Sequence, residues 1–312
     1  MKIIEIGEKE FEGVPNLYYT YWPPTNLCNY NCDYCGARPY FKDKFVPLKD
    51  KLKIIKFINY INSQYNNVVS LYGGEASIDP DIFDIVSHIN NPYRIKFYTN
   101  LSLDIPFYRN IQNVNDKILL TVSFHYQKAN FEEFYSKVKF LSQFGRIRAK
   151  VMWDSRHKNE ILDCYQKLKE LETNDCIVEL NLIYDTDKFD EASSWSEEDL
   201  DFFVRCQTEK SIYVHFGLGK QKVKGYLSFN EVWLKHLDSK LSYSCKVGEK
   251  SLYIESNGDV YYCKNSLYYP HPPLFNCVTQ DYSDHLEIFK TNVICKGFCC
   301  EVSIPKRLQG DI

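Results

Sequence analysis

Methionine is nearly absent: two residues in 312, against 25 tyrosines, 20 phenylalanines and 4 tryptophans. Core volume must therefore come from aromatic and β-branched side chains rather than flexible fillers. No apolar run approaches the ~18 residues needed to span a bilayer. The opening segment, Met1 to Glu8, lacks the apolar stretch of a signal peptide. A cytoplasmic protein without a membrane partner is expected. Basic excess is missing too: 38 Lys and Arg stand against 41 Asp and Glu, a net charge of −3. That argues against a nucleic-acid partner. Repeats and low-complexity tracts are also absent.

Cysteine is plentiful but unevenly spread. Of 12 cysteines, three crowd Cys28, Cys32 and Cys35, and none follows until Cys164. Cys164, Cys176 and Cys206 are isolated. Cys245, Cys263, Cys277, Cys295, Cys299 and Cys300 crowd the C-terminal third. A secreted disulfide scaffold would be shorter and more evenly stapled. In a reducing compartment, clustered thiols point to metal.

The body alternates strand-like and helix-like segments. Strands are expected at 17–22, 67–72, 94–98, 117–124, 146–153 and 176–184. Helices are expected at 48–61, 80–89, from Pro106, 131–144 and 160–172. Asp79-Pro80 is a helix-start signal. Six strands separated by helical segments imply parallel pairing with right-handed crossovers. The fold class is α/β, a partial (β/α)6 TIM-like barrel with its chemistry at the C-terminal strand ends. An acidic connection over 185–200 leads to a helix at 197–206, and Ile212–Phe216 reads as a further strand. Beyond it, 251–256 and 259–263 flank Asn257-Gly258, a β-hairpin signal. A barrel core over 1–210 and a small C-terminal α+β module over 211–312, built on that hairpin, are expected.

Cys28-Asn29-Tyr30-Asn31-Cys32-Asp33-Tyr34-Cys35 follows the first barrel strand as C-x3-C-x2-C. Three thiolates suit three irons of a [4Fe–4S] cube and leave the fourth open. A zinc knuckle short of one ligand is the plainer alternative. With Gly73-Gly74-Glu75 after the second strand, the pattern resembles the radical SAM superfamily, whose motif usually carries an aromatic residue before its third cysteine, here Tyr34. The resemblance implies that Gly73, Gly74 and Glu75 contact the methionyl amino group of S-adenosylmethionine. Two glycines would let backbone approach a ligand closely. It further implies roles in cofactor binding for Asn100 after strand three, Ser123 at the end of strand four and Lys150 in strand five. The family's Ser-x-Asp is Ser123-Phe124-His125 here. His125 faces the barrel mouth as a candidate proton acceptor.

Cys245-x12-Gly258-x4-Cys263, followed by Cys295 and Cys299-Cys300, resembles a shortened SPASM, or twitch, domain. The resemblance implies an auxiliary [4Fe–4S] cluster on Cys245, Cys263, Cys295 and Cys299, with Cys300 or Cys277 as substitutes. A structural zinc ion suits the same four thiolates. Cys164, Cys176 and Cys206 read as buried small hydrophobes, with Cys206 or Cys277 as remote candidates for a hydrogen-atom donor.

The implied enzyme uses two [4Fe–4S] clusters and S-adenosylmethionine to abstract hydrogen from a small molecule or peptide. Its electrons would come from a reductant such as flavodoxin or ferredoxin. With 27 residues before Cys28, a leader-binding domain is not expected, which tilts the substrate toward a small molecule such as a sugar or alcohol, or a short peptide delivered without such a domain. A peptide (RiPP) maturase or epimerase is the alternative within the family. A non-catalytic zinc or iron–sulfur scaffold is the alternative outside it.

Overall fold

The computed structural model describes residues 2–8, 12–35, 45–183, 195–206, 212–218, 221–227, 231, 243–245, 248–263, 272–290, 293–295 and 306–308. Strand β1 (Lys2–Glu8) precedes the barrel. The barrel strands are β2 (Leu17–Thr25), β3 (Asn66–Gly73), β4 (Arg94–Thr99), β5 (Ile118–Phe124), β6 (Ile147–Trp153) and β7 (Cys176–Leu182). Between them lie α1 (Leu48–Gln64), α2 (Ile82–His88), α3 (Ile105–Val114), α4 (Phe131–Leu141) and α5 (Lys158–Lys169). All six barrel strands pair in parallel and in chain order. The expected partial barrel is present.

Local chemistry explains the elements. On α1, Ile54, Ile55, Phe57, Ile58 and Ile61 recur at helical spacing and are all buried. The Asp104 carboxylate accepts from Phe107 N at 3.1 Å and starts α3. The Asn130 amide oxygen accepts from Glu133 N at 3.0 Å and starts α4. Along β6, Ile147, Ala149, Val151 and Trp153 join the main core under the helices. Arg148, Lys150 and Met152 alternate with them and turn to the concave face.

The C-terminal third adds to this sheet. Helix α6 (Glu197–Cys206) comes first. Strands β8 (Ile212–Leu218) and β9 (Gln221–Leu227) form an antiparallel sheet with β1. Strand β10 (Tyr243–Cys245) precedes the hairpin of β11 (Ser251–Ile254) and β12 (Asp259–Tyr261), followed by β13 (Phe275–Asn276). Gly258 turns the hairpin with φ +91°. Strand β11 pairs in parallel with β2, so the order is β13-β12-β11-β2-β3-β4-β5-β6-β7 in one nine-stranded sheet. A third sheet joins β10 to β14 (Val293–Cys295) and β15 (Lys306–Leu308). No helix among the described residues is long and apolar enough to cross a membrane.

Candidate active site

The segment after β2 carries Cys28, Cys32 and Cys35, and β3 grips it first. Gly74 N donates to Thr25 O at 3.2 Å, and Glu75 N donates to Leu27 O at 2.7 Å. A Cβ on Gly74 would sit 1.9 Å from Leu27 O, and one on Gly73 would sit 2.5 Å from Pro23 Cβ. Both glycines are thus required by the chain's own backbone. Lys51, at the start of α1, steadies the turn that follows. Its Nζ lies 2.6 Å from Asp79 Oδ1 and 2.8 Å from Asp81 Oδ2, and the Lys51 and Asp79 side chains are fully buried.

Strand β4 holds the middle of the cysteine segment. Asn100 Nδ2 donates to Asn29 Oδ1 at 2.8 Å, and Asn29 Nδ2 donates to Ser102 Oγ at 2.8 Å. Glu75 links β3 to β4: its carboxylate accepts from Ser77 N at 3.1 Å and from Asn100 N at 2.5 Å. Burial pushes this carboxyl up, against the hydrogen bonds that favour its charged form.

Strands β5 and β6 hold the far end. A hydrogen bond of 2.7 Å joins Tyr34 Oη and His125 Nδ1, and the two rings stack with centroids 6.0 Å apart. The same His125 nitrogen lies 3.8 Å from Cys32 Sγ. Burial pushes His125 down to about 4, so its ring is neutral at pH 7. Arg156, after β6, donates to both Asp33 oxygens at 2.6 and 3.0 Å. It also donates to Asp154 Oδ1 at 2.8 Å and Oδ2 at 2.6 Å. The cysteine segment is therefore tied to the C-terminal ends of β3, β4, β5 and β6 in turn.

The donor set suits a cluster. Cys32 is 6% exposed, and Cys28 and Cys35 are partly exposed free thiols. Burial, with Glu75, Cys32 and Cys35 nearby, pushes the Cys28 thiol up to about 11. Ligation would displace that proton. Among the described residues, no three His, Cys, Asp or Glu side chains converge on a site for a single ion. Three thiolates that each take a separate iron do not need to converge on one point.

Other expected residues fall nearby. Ser123 and Lys150 are register partners on the concave face, half-buried below the mouth. Lys150 Nζ lies 5.7 Å from the Tyr98 ring centroid. In the C-terminal third, Cys263 packs beside the concave-face tyrosines. Cys277 lies in the main core, its N donating to Gly258 O at 2.9 Å, and burial pushes its thiol up to about 12. Cys206 Sγ donates to Phe203 O at 3.2 Å. The ladder register sets Cys295 opposite Tyr243, two positions from Cys245. Cys299 and Cys300 lie outside the described residues. Asn29, Lys51 and Arg156 were not anticipated, because no spacing rule distinguishes an anchoring polar residue from a surface one.

The geometry agrees with comparison to known proteins. Residues 22–192, more than half of the chain, match the Radical SAM superfamily model. Streptococcus suis SuiB, bound to precursor peptide SuiA, shares the fold at 13% identity and TM-score 0.55, covering 90% of this chain and 68% of that one. The structure of anSMEcpe with bound AdoMet and Kp18Cys peptide is similar at 15% identity and TM-score 0.59, covering 89% of this chain and 81% of that one. No curated protein matches the sequence. With its three-cysteine segment at the barrel mouth and the family match running through the barrel, the chain belongs to the Radical SAM superfamily, whose membership implies an enzyme using a [4Fe–4S] cluster and S-adenosylmethionine.

Proposed function

We propose that this protein is a radical SAM enzyme that abstracts hydrogen from a small-molecule or peptide substrate. Cys28, Cys32 and Cys35 would hold the [4Fe–4S] cluster. When bound, that cluster supplies the electron that cleaves S-adenosylmethionine and so yields the hydrogen-abstracting 5′-deoxyadenosyl radical. The chain's own residues supply position. The observation that carries the reading is the tethering of one three-thiol segment to four consecutive strand ends, through Gly74, Glu75, Asn100, His125 and Arg156. Such tethering would hold the three thiolates in a fixed constellation at the barrel mouth.

Ser123 and Lys150 would meet the ribose or carboxylate of S-adenosylmethionine, and His125 positions Tyr34 beside Cys32. His125 would act as a proton acceptor. Residues 1–210 form the core in this reading, and 211–312 an auxiliary module. Cys245, Cys263, Cys295 and Cys299 would hold a second [4Fe–4S] cluster for electron transfer. The ladder register of Cys245 and Cys295 supports that set. The burial of Cys277 in the apolar core favours a packing role for it instead. A cytoplasmic reductant such as flavodoxin or ferredoxin would deliver the electron. SuiB and anSMEcpe were both captured with peptides, which keeps a peptide substrate open beside a small molecule. The test is anaerobic reconstitution, then dithionite with S-adenosylmethionine. Formation of 5′-deoxyadenosine is expected. A colourless protein that binds zinc and makes none would overturn it.

A further inference from the structure

Two tyrosines of the cysteine segment close on one ring from the barrel. Tyr30 and Tyr34 follow Cys28 and Cys32 at the same offset of two residues. The His125 ring meets both, edge-on to Tyr30 with centroids 6.0 Å apart and stacked on Tyr34 at 6.0 Å. Its place is fixed from behind. The His125 carbonyl accepts from Lys128 N and Ala129 N, each at 2.9 Å. Phe124, one residue earlier, packs in the core on Phe131 and Phe134. The imidazole is thus set by the end of β5 rather than by the segment it meets.

Three polar atoms converge here. His125 Nδ1 lies 2.7 Å from Tyr34 Oη and 3.8 Å from Cys32 Sγ. The Tyr34 side chain also hydrogen-bonds Cys32: burial pushes that thiol up, and this bond pulls it back. Counting hydrogens gives the direction of donation. A ligating thiolate has none and can only accept. The Tyr34 hydroxyl has one. Were Nδ1 bare, two acceptors 3.8 Å apart would compete for that single hydrogen. With a hydrogen on Nδ1, every atom finds a partner: Nδ1–H donates to Tyr34 Oη, and Oη–H donates to Cys32 Sγ. That tautomer leaves Nε2 as the bare nitrogen, as a proton-acceptor role requires. The first cysteine is served differently. Cys28 Sγ accepts from the backbone N–H of Tyr30 at 3.4 Å.

We propose that His125 and Tyr34 form a two-step hydrogen-bond relay onto Cys32 that raises the reduction potential of the cluster held there. The inference rests on the reading above, in which Cys32 ligates a [4Fe–4S] cluster. Reduction adds negative charge to the cluster. A donor aimed at a ligating sulfur therefore stabilises the reduced form more than the oxidised one. Tyr34 acts at the sulfur directly. His125 is a positioning residue: it polarises the hydroxyl and turns its hydrogen toward Cys32.

The test is a redox titration of the full chain after anaerobic reconstitution, following the electron paramagnetic resonance of the reduced cluster. The signal of this cluster is the one missing from the Cys28→Ala, Cys32→Ala, Cys35→Ala variant. In Tyr34→Phe the ratio of reduced to oxidised cluster at the wild-type midpoint should fall roughly tenfold, a midpoint about 59 mV lower for a one-electron couple. His125→Leu should lower the midpoint by less. His125→Asn, whose amide nitrogen can stand in for Nδ1, should stay near wild type. A merely structural role gives the opposite sign, because loosened packing admits water, which stabilises the added negative charge. An unchanged midpoint in Tyr34→Phe overturns the proposal. So does a higher midpoint in His125→Leu, the result if Tyr34 donates to the ring and is released to the sulfur. If Tyr34→Phe assembles no cluster, the two His125 variants decide. Formation of 5′-deoxyadenosine is read on the same samples. If wild type forms it while Tyr34→Phe titrates like wild type, only the relay fails; if wild type holds no reducible cluster, the radical SAM reading fails with it.

Discussion

Replacing Gly74 with alanine sets a methyl group against backbone that has nowhere to go. Gly74 does not lie in the left-handed region, so alanine is conformationally acceptable there and the cost is one of contact alone. The added Cβ would lie 1.9 Å from Leu27 O and 2.7 Å from Asn26 O. A carbon–oxygen contact normally rests at about 3.3 Å. The two segments would therefore have to part by roughly 1.4 Å, judged against that spacing. The Glu75 N to Leu27 O hydrogen bond, now 2.7 Å, would stretch to about 4 Å and be lost. The longer bond from Gly74 N to Thr25 O would go with it. Two backbone hydrogen bonds and the residual overlap together cost about 2–4 kcal/mol. In a chain of this size that lowers the melting temperature by roughly 3–6 °C. The displaced residue, Leu27, immediately precedes Cys28, so iron uptake should fall along with stability. The assay is thermal unfolding together with iron quantification after anaerobic reconstitution. Gly145→Ala is the control, because its Cβ would meet only the flexible Gln112 side chain, at 2.7 Å from Nε2. A Gly74→Ala variant that keeps both the melting temperature and the iron content of wild type would refute the contact argument.

Three further substitutions test the tethers. Arg156→Gln removes both arms of the bridge between Asp33 and Asp154. The guanidinium is 51% exposed, so stability should fall by no more than ~1 kcal/mol. The electron paramagnetic resonance signal of the reduced cluster should nevertheless broaden as Asp33 is released, and Arg156→Lys, unable to fork, should restore it only partly; an unchanged signal would remove Arg156 from the account. Glu75→Gln replaces one of two acceptors facing Ser77 N and Asn100 N with a donor, and should cost about 1–3 kcal/mol in urea unfolding; a midpoint equal to wild type would contradict the geometry. Lys51→Met strands the buried Asp79 carboxylate and should cost about 3–5 kcal/mol, whereas Lys51→Met with Asp79→Leu should recover much of that loss if the ion pair itself is the cause.

The barrel was legible because its signals are local. Six apolar runs of strand length, separated by helical spacing such as Ile54, Ile55, Ile58 and Ile61, fix the order of elements before any long-range contact is known. Asn257-Gly258 likewise announces its hairpin through one turn. What the hairpin pairs with was not legible. Strand β11 lies against β2, more than 200 residues earlier, and β1 lies against β8 at a similar separation. Strand pairing at that distance leaves no periodic mark in a single sequence. The glycine pair shows a subtler gap. Two glycines point to close backbone approach, and the fold sets the chain's own Leu27 carbonyl against Gly74. The cysteine spacing likewise points to ligands, while Asn29 and Arg156, which hold that segment, are ordinary polar residues at positions that only the folded strand ends bring together. His125 stood out by its place at the end of β5, and its bond to Tyr34 is a contact that sequence position alone does not reveal.

In the proposed enzyme, one three-thiol segment would hold the reactive cluster and a second set of thiols another. The direct measurement compares wild type with the Cys28→Ala, Cys32→Ala, Cys35→Ala triple variant after anaerobic reconstitution, counting iron and assaying 5′-deoxyadenosine in parallel. Wild type should hold about eight irons per chain, as two cubes require, and the variant about four. The variant should also form no 5′-deoxyadenosine. A variant that still cleaves S-adenosylmethionine, or a wild type that takes up zinc in place of iron, would contradict the assignment.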